Sequence, residues 1–154
     1  MKISDFLNPE LILPELSART KEEVLTELAD HIAGNFSWVS AEQLLRILKE
    51  REKLGSTGIG DGFAIPHGKS KSIDQMIISF GRSRAGIPFD SLDGKPAHYF
   101  FVLIAPENSA GDHLKALAKI SRFLKSSLFK ESLAKAEGQA ELQKLIQDQD
   151  DLTL

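Results

Sequence analysis

One histidine in a constrained stretch of backbone is the first candidate for chemistry in this sequence. His67 follows the apolar run FAI and lies between Pro66 and Gly68, so we expect its ring to be held at the end of a strand. Four glycines in residues 55–62 precede it, and such a loop leaves room for an anion or for the surface of a partner. From these residues alone two interpretations stay open: a reactive imidazole, or a histidine that only packs at a strand end.

Two sequence blocks in a fixed order carry a family resemblance. Residues 51–70 read REKLGSTGIGDGFAIPHGKS, and residues 86–120 read GIPFDSLDGKPAHYFFVLIAPENSAGDHLKALAKI. Together they resemble the IIA domains of the bacterial phosphotransferase system (PTS EIIA), in the fructose/mannitol and nitrogen-regulatory group, and the match extends over residues 3–146. The resemblance implies that His67 accepts a phosphoryl group, that His113 is a second active-site histidine, and that Arg51 is a cationic helper.

The residue types suit this chemistry. Imidazole, with an ordinary pKa of about 6.5, is mostly neutral near pH 7 and forms a labile bond to phosphorus. One ring nitrogen attacks while the other donates to a fixed acceptor, for which we expect a carbonyl of the glycine loop. Arg51 can offer two N–H groups to phosphoryl oxygens, and His113 is expected to open a helix, where free N–H groups favour an anion. Ser56 and Thr57 are weaker candidates for phosphate binding, through their hydroxyls.

Each of these residues also has a structural interpretation. Arg51 lies in the charged run KEREK, which is typical of a solvated helix face. His113 is also a plausible polar residue of a first helical turn, and Ser56 and Thr57 are ordinary turn residues. The two other histidines, His31 and His98, are expected to be packing or rim residues.

Cap signals predict two helices before the glycine loop. Thr20 with Glu23 forms a capping box, and Ser40 with Gln43 repeats it. The second helix is expected to end near residue 55, which places Arg51 in its last turn, where a cation is favoured. The predicted buried stripes are Val24, Leu25, Leu28 and Ile32 in the first helix and Leu44, Leu45 and Leu48 in the second.

A third helix is predicted after the second block. Asp112 is its expected N-cap, and the helix runs from His113 to about residue 126. The predicted apolar stripe is Leu114, Leu117, Ala118, Ser121 and Leu124. Two short helices, over residues 129–136 and 139–147, are expected to follow, and the acidic tail QDQDDLTL is expected to be frayed.

Apolar runs predict strands over residues 11–18, 63–66, 76–80 and 98–105. The last run is apolar throughout, which is typical of a central strand covered on both faces. A connection over residues 86–96 separates it from the strand before, without a helix between them. The sequence therefore predicts an α/β fold in which a single mixed β-sheet has helices on both faces, and one domain over residues 1–154.

Composition excludes several classes of function. Apolar residues make up 42% and charged residues 27%, the net charge is −3, and there is no cysteine. A nucleic-acid partner is not expected, because such proteins present a basic face. No segment has the length and apolarity of a membrane span or signal peptide, so we expect a soluble protein of the cytoplasm that is not embedded in a membrane.

Cofactor and metal sites are not expected. Residues 62–70 contain a Gly-Lys-Ser ending, but five residues separate Gly62 from Gly68 where a Walker loop has four. A zinc hydrolase built on His67 and His113 is weakly supported, because no third ligand has a suitable spacing. The sequence predicts neither a nucleotide nor a metal.

The family resemblance leaves two functions open. In both, a histidine-containing phosphocarrier protein donates the phosphoryl group. In the first, a nitrogen-regulatory IIA protein binds regulatory targets according to its phosphorylation state, and the opening ISDFLNPELILPELSARTKEEVLTELADHIA favours this branch. In the second, the chain is the IIA component of a fructose/mannitol-type sugar permease and passes phosphate to a IIB domain.

Overall fold

The computed structural model describes the backbone of residues 1–154 and all side chains except that of Ala110. Two short 3-10 turns, Ile3–Asp5 and Pro9–Leu11, precede the first strand. The strands are β1 (Ile12–Leu13), β2 (Gly58–Gly60), β3 (Phe63–Ala64), β4 (His67–Ser70), β5 (Ile77–Ile87) and β6 (Ala97–Pro106). The helices are α1 (Lys21–Asn35), α2 (Ala41–Lys53), α3 (Ala110–Phe123), α4 (Ser127–Lys135) and α5 (Gly138–Leu152).

One mixed sheet organises the fold around β6. On one side β6 pairs antiparallel with β5, which in turn pairs parallel with β1. On its other side β6 pairs parallel with both β3 and β4, and β2 lies antiparallel to β3. β6 is therefore the central strand, and its apolar run is explained by burial on both faces.

Helices cover both faces of this sheet. Tyr99, Phe101 and Leu103 of β6 point into one apolar cluster, which also contains residues of α3, α4 and α5. Phe100 and Val102 point the other way, into a cluster built with α1 and α2. The predicted α/β class with helices on both faces of a mixed sheet is confirmed, and so is the buried stripe of α1. In α2 Leu44 and Leu48 are buried as predicted, while Leu45 is only half-buried.

The strand bounds near His67 differ from the prediction. A single strand was expected over residues 63–66, ending at the histidine, but β3 stops at Ala64 and His67 instead begins β4. Pro66 has no N–H to donate to a ladder, so pairing is interrupted there. Its carbonyl still accepts from the Leu103 N–H at 3.0 Å, which keeps β4 on the same edge of β6.

The start of α3 also differs from the prediction. Ser109 is the N-cap rather than Asp112, which lies in the first turn. The buried face also differs from the expected stripe, since Leu114 is 65% exposed. The residues that face the sheet are His113, Ala116, Ile120 and Phe123.

Three further element boundaries differ from the prediction. β5 continues to Ile87, so the connection to β6 is shorter than the expected 86–96. The strand predicted over residues 11–18 is much shorter in the structure, where β1 consists of Ile12–Leu13. The tail is not frayed, because α5 continues to Leu152.

A buried charged pair, the clasp Lys119–Asp150, accounts for that longer α5. The Lys119 Nζ lies 2.8 Å from the Asp150 Oδ1, and Asp150 is 0% exposed. The other carboxylate oxygen accepts from the Ser4 N–H at 3.0 Å and from the Ser4 hydroxyl at 2.9 Å. Lys119 also donates to the Met1 carbonyl at 2.7 Å. The clasp thus ties α3 and α5 to the first residues of the chain.

Among the described residues, no helix combines the length and the apolarity that crossing a membrane requires.

Candidate functional site

The imidazole of His67 is fixed by two neighbours. Its Nδ1 lies 2.8 Å from the Ile65 carbonyl oxygen, and its Nε2 lies 3.3 Å from the Arg51 Nε. A carbonyl only accepts, so Nδ1 carries the hydrogen and donates it. Nε2 then holds the lone pair and accepts from Arg51. The ring is therefore set in one tautomer with Nε2 as its nucleophilic atom.

The acceptor for Nδ1 differs from the prediction. A carbonyl of the glycine loop was expected, but the acceptor is Ile65, two residues before the histidine. This short reach is possible because the chain turns at Pro66, between β3 and β4. The sequence alone does not identify which backbone carbonyl accepts from the His67 ring, since every residue has a carbonyl.

Arg51 lies in the last turn of α2, as predicted. Its Nη1 donates to the Gly55 carbonyl at 2.9 Å, which fixes the guanidinium beside the His67 ring. The helix itself is placed by close packing on β4: a Cβ built on Gly68 would lie 2.3 Å from the Ile47 Cγ2. Only glycine permits that approach, so the residue after the histidine also sets the position of Arg51.

The ring of His113 lies beside that of His67. The two ring centroids are 5.4 Å apart and the planes are inclined at 55°. His113 is only 6% exposed, and its buried Nδ1 has no hydrogen-bond partner among the described residues. Its backbone N–H is already bonded to the Ser109 carbonyl at 3.0 Å, so the expected free N–H at this residue is wrong. What His113 offers to an anion is its ring.

Both histidines favour the neutral form. Burial lowers the pKa of His67, and the Arg51 charge lowers it further, against an opposing contribution from its hydrogen bond to Ile65. Burial also lowers the pKa of His113 to about 4, with help from the nearby His67 and Lys69. Near pH 7 the site therefore presents two uncharged imidazoles beside one guanidinium.

The weaker candidates, Ser56 and Thr57, lie in the loop after α2. The Ser56 hydroxyl donates to the Phe89 carbonyl at 2.7 Å. The Thr57 hydroxyl donates to the Glu52 carboxylate, which also accepts from the Thr57 N–H at 3.0 Å. In this conformation the hydroxyl hydrogens of Ser56 and Thr57 are therefore both donated to protein acceptors.

Sequence reasoning missed Glu52. Its carboxylate holds Thr57 and forms an ion pair with Lys21, whose Nζ lies 2.9 Å away. These contacts fasten the glycine loop to α1 and α2. A carboxylate within a charged run looks like a solvated residue, so only the tertiary structure reveals this role.

The apolar residues that precede His67 in the sequence differ in exposure. Phe63 and Ile65 are buried, while Ile59 is 41% exposed. Three further apolar side chains are exposed: Leu54, three residues after Arg51; Leu92, whose N–H donates to the Gly58 carbonyl at 3.0 Å; and Leu114, next to His113 in the chain. We call these four exposed residues the apolar rim. Isolated leucines in loops carry no sequence signal of such a role.

The other two histidines lie outside the site, as expected. The His98 Nδ1 is bonded to the Ser83 carbonyl at 2.9 Å, and the His31 ring is bonded to the Glu10 carbonyl. Among the described residues, no group of three or more histidine and acidic side chains is arranged to hold a metal ion.

Comparison with known proteins agrees with this geometry. The family model for the phosphoenolpyruvate-dependent sugar phosphotransferase system, EIIA 2, matches residues 5–149. A nitrogen regulatory protein of Bradyrhizobium diazoefficiens is 42% identical over 125 residues, which are 81% of each chain. The fructose-specific EIIABC component of Bacillus subtilis is 33% identical over 150 residues, 97% of this chain and 24% of that protein.

Solved structures extend the likeness to the fold. The nitrogen regulatory protein IIA-Ntr of Neisseria meningitidis superposes with a TM-score of 0.88 at 33% identity, over 94% of this chain and 98% of that one. Sequence and fold therefore agree over nearly the same span, and the resemblance predicted from two sequence blocks is confirmed. The chain belongs to the EIIA 2 family of the phosphoenolpyruvate-dependent sugar phosphotransferase system.

Proposed function

We propose that this protein is a cytoplasmic phosphoryl carrier, formally a transferase, that accepts a phosphoryl group on the Nε2 of His67. The observation that carries the proposal is the 2.8 Å hydrogen bond from Nδ1 to the Ile65 carbonyl. It assigns the lone pair to Nε2, on the side where Arg51 lies. Burial and the neighbouring guanidinium keep the ring uncharged and therefore nucleophilic.

The transfer step balances without a proton shuttle. The donor is the phosphohistidine of a histidine-containing phosphocarrier protein. The donor ring carries a hydrogen on its other nitrogen. As the bond from Nε2 of His67 to phosphorus forms, the donor's nitrogen–phosphorus bond breaks, and its electron pair stays on the donor ring, which becomes neutral imidazole. The positive charge of the donor ring passes to the His67 ring, where the phosphoryl group balances it. The hydrogen on the His67 Nδ1 remains in its bond to Ile65 throughout.

Arg51 and His113 support the transferred group. A guanidinium donates paired hydrogen bonds to phosphoryl oxygens, and these strengthen as charge spreads over the oxygens in the transition state. His113 lies against His67 with an unsatisfied buried ring nitrogen. A phosphoryl group at Nε2 supplies the negative charge that favours a protonated, donating His113. Ser56 and Thr57 join only if their present hydrogen bonds are exchanged.

The regulatory branch is the favoured biological role. The relatives named as nitrogen regulatory proteins support it, one by sequence and one by fold. In this role the apolar rim around His67 docks a target, and phosphorylation adds nearly two negative charges inside that rim. A target that buries the rim must desolvate the phosphate unless it brings cations of its own. We therefore propose that targets prefer the unphosphorylated form.

A role in sugar uptake is the second candidate. It is favoured by the 33% identity to a fructose-specific component that combines several parts of the system. In this role the same rim docks a IIB domain, which takes the phosphoryl group from His67.

A labelling experiment tests the carrier function. The protein is incubated with phosphoenolpyruvate and the upstream carrier proteins, and acid-labile, base-stable phosphate is measured. We expect His67→Ala to abolish the label and the matched control His98→Ala, which removes a histidine outside the site, to keep it. Full labelling of a folded His67→Ala variant would overturn the assignment.

A binding experiment separates the two branches. The phosphorylated and unphosphorylated proteins are used as baits, and each captured partner is then titrated with both forms. A regulatory target should prefer one form by at least tenfold, or about 1.4 kcal/mol. Equal affinity for both forms, together with capture of a IIB domain, would decide for transport.

A further inference from the structure

A second concave surface lies away from His67, at the other end of β6. It is a cavity of about 510 Å³ between β5, β6 and α4, which falls within the roughly 300–1,000 Å³ that is typical of small-molecule sites. Tyr99 lies in its wall, while His67 pairs with Leu103 four residues further along β6. At 3.3 Å per residue the two positions are roughly 13 Å apart along the strand.

The lining of this cavity is strongly basic. Four cationic side chains, Arg82, Arg84, Lys95 and Lys130, face one carboxylate, Asp61. Within the described chain no carboxylate oxygen lies within 4.0 Å of any of these four cations. In a protein whose net charge is −3, this concentration of uncompensated positive charge stands out.

Arg82 is the unusual member of the group. It is 2% exposed, and arginines are rarely buried without a paired acid. Its Nε donates to the Pro14 carbonyl at 3.0 Å, and its Nη1 donates to the Leu133 and Ala136 carbonyls, each at 2.7 Å. Among the described hydrogen bonds none uses its Nη2. Burial lowers the pKa of Arg82, and the charge of Arg84 lowers it further.

Tyr99 adds a second unpaired group. Its side chain is only 7% exposed, and its hydroxyl takes part in none of the described hydrogen bonds. Burial raises the pKa of this phenol, against the opposing charges of Arg82 and Arg84. The hydroxyl therefore stays protonated at neutral pH and remains a donor within the cavity.

A purely structural role explains only part of this arrangement. Arg82 and Arg84 donate to carbonyls at the C-terminal end of α4, including those of Ala134 and Ala136, and so cap that helix. Capping does not require Lys95, which comes from the β5–β6 loop, or Lys130, whose ammonium group makes none of the described hydrogen bonds to protein. Nor does it use the Tyr99 hydroxyl.

We propose that this cavity binds a small metabolite that carries a phosphate ester. Guanidinium N–H groups and flanking ammonium groups are the donors that recognise phosphate. Here the Nη2 of Arg82 and the ammonium groups of Lys95 and Lys130 form no described ion pair with Asp61, the one carboxylate of the lining. The volume exceeds what a bare inorganic anion needs, so the ester's organic body is held against Tyr99. Gly62, at a φ of 83° and in the wall of the cavity, keeps that space open, because it brings no side chain.

Binding is tested by NMR titration of the whole, isotope-labelled protein. The probes are glucose 6-phosphate, 3-phosphoglycerate and AMP, with glucose and adenosine as matched neutral controls. We expect at least one ester to shift the amide signals of Gly62 and Ser83 saturably at millimolar concentration or below, and the neutral controls to leave them unchanged. Absence of saturable shifts with all three esters would overturn the proposal.

Variants locate the binding in this cavity. The double change Lys95→Gln and Lys130→Gln should weaken the binding at least tenfold, while Lys115→Gln, an exposed charge on α3 outside the cavity, should not. His67→Ala should bind like the parent, which separates this site from phosphoryl transfer. Unchanged affinity in the double variant, or inorganic sulfate binding as tightly as the esters, would show a nonspecific anion effect and overturn the proposal.

Discussion

At the residue scale, the position of one hydrogen on the His67 ring decides which ring nitrogen carries the lone pair. The Ile65 carbonyl takes the Nδ1 hydrogen, and Arg51 meets the lone pair of Nε2. In the proposed function, the same arginine that would stabilise a phosphoryl group therefore already contacts the atom that is proposed to receive it. Because the guanidinium is also bonded to Gly55, it is largely in place before a donor arrives, which limits reorganisation during the transfer.

Removing either helper should slow transfer without preventing it. Loss of one charged hydrogen bond in the transition state costs on the order of 2–4 kcal/mol, or roughly 30- to 1000-fold in rate. We expect such losses for Arg51→Ala and His113→Ala in rapid-quench measurements of transfer from the phosphorylated carrier. Lys53→Ala, an exposed cation at the same end of α2, should keep the parent rate. Parent rates of accepting and donating in both helper variants would remove these residues from the site.

The buried His113 should also make stability depend on pH. Its pKa is lowered from 6.5 to about 4 in the folded protein, so between these values the unfolded chain binds more protons than the folded one. The free energy of unfolding should therefore fall as the pH drops from about 6.5 towards 4, by on the order of 3 kcal/mol, and this contribution is fully present above pH 6.5. His113→Gln should flatten the dependence in urea unfolding at several pH values. If the free energy of unfolding depended on pH equally in the parent and the variant, burial of His113 would not be the cause of that dependence.

At the element scale, local signals predicted the helices that end at the site but not the strand that begins there. The capping signals of α1 and α2 are contained within four residues each, and their N-cap halves form as expected, with Thr20 accepting from the Glu23 N–H and Ser40 from the Gln43 N–H. The return bond of a capping box is not among the described hydrogen bonds, and the Glu23 carboxylate accepts from the Arg19 N–H instead. β4 reads HGKS, which has no apolar pattern, and it is a strand only because β6 pairs with it. Such pairing is decided by distant residues and cannot be derived from the local sequence.

The phase of α3 was mispredicted for a related reason. Asp112 and Ser109 are both acceptable N-caps, and the buried positions lie one residue earlier than the predicted stripe that begins at Leu114. The structure chooses the face that buries His113 with Ala116 and Ile120, leaving Leu114 on the surface. The stripe of apolar residues therefore mispredicts the buried face of α3, because the polar residue His113 occupies a buried position.

The contact between α2 and β4 should be sensitive to a single methyl group. Gly68→Ala would place a Cβ 2.3 Å from the Ile47 side chain, so α2 must shift. Overpacking of this kind costs about 1–3 kcal/mol, and transfer should slow because Arg51 moves with the helix. Stability is measured by urea unfolding and transfer by rapid quench.

Two further variants make this test specific. The double change Gly68→Ala and Ile47→Ala removes the clash and should recover much of the transfer rate. Gly34→Ala, where a Cβ meets nothing within 4 Å, should not destabilise the protein. A double variant as slow as the single one would show that α2 is not positioned by this contact.

At the scale of the whole molecule, two apolar clusters enclose the sheet, and the clasp between Lys119 and Asp150 joins the outer helices to the start of the chain. Burial raises the pKa of Asp150, but the hydrogen bond with Lys119 and those from Ser4 outweigh burial and leave the pKa below its ordinary value. The carboxylate is therefore charged at neutral pH and balances the buried ammonium.

Breaking one half of the clasp should cost more than replacing both halves. Asp150→Ala leaves the Lys119 charge buried without a partner, and such losses cost about 3–5 kcal/mol. The double change Lys119→Met and Asp150→Leu replaces the pair by apolar side chains of similar size and should cost clearly less. Chemical unfolding of both variants and the parent measures the difference, and equal costs would show that charge balance is not what the pair contributes.

The clasp also sets an order of events for a newly made chain. Ser4 and Asp150 are 146 residues apart, so at roughly 5–20 residues per second the first residues wait about 7–30 s for their partner to be synthesised. α1, α2 and the sheet, with Arg51 and His67, can pack during that interval. α3, which carries both Lys119 and His113, gains its last anchor only when the end of α5 arrives. We therefore expect a nascent chain to complete the His113 side of the site only after the end of α5 has been synthesised.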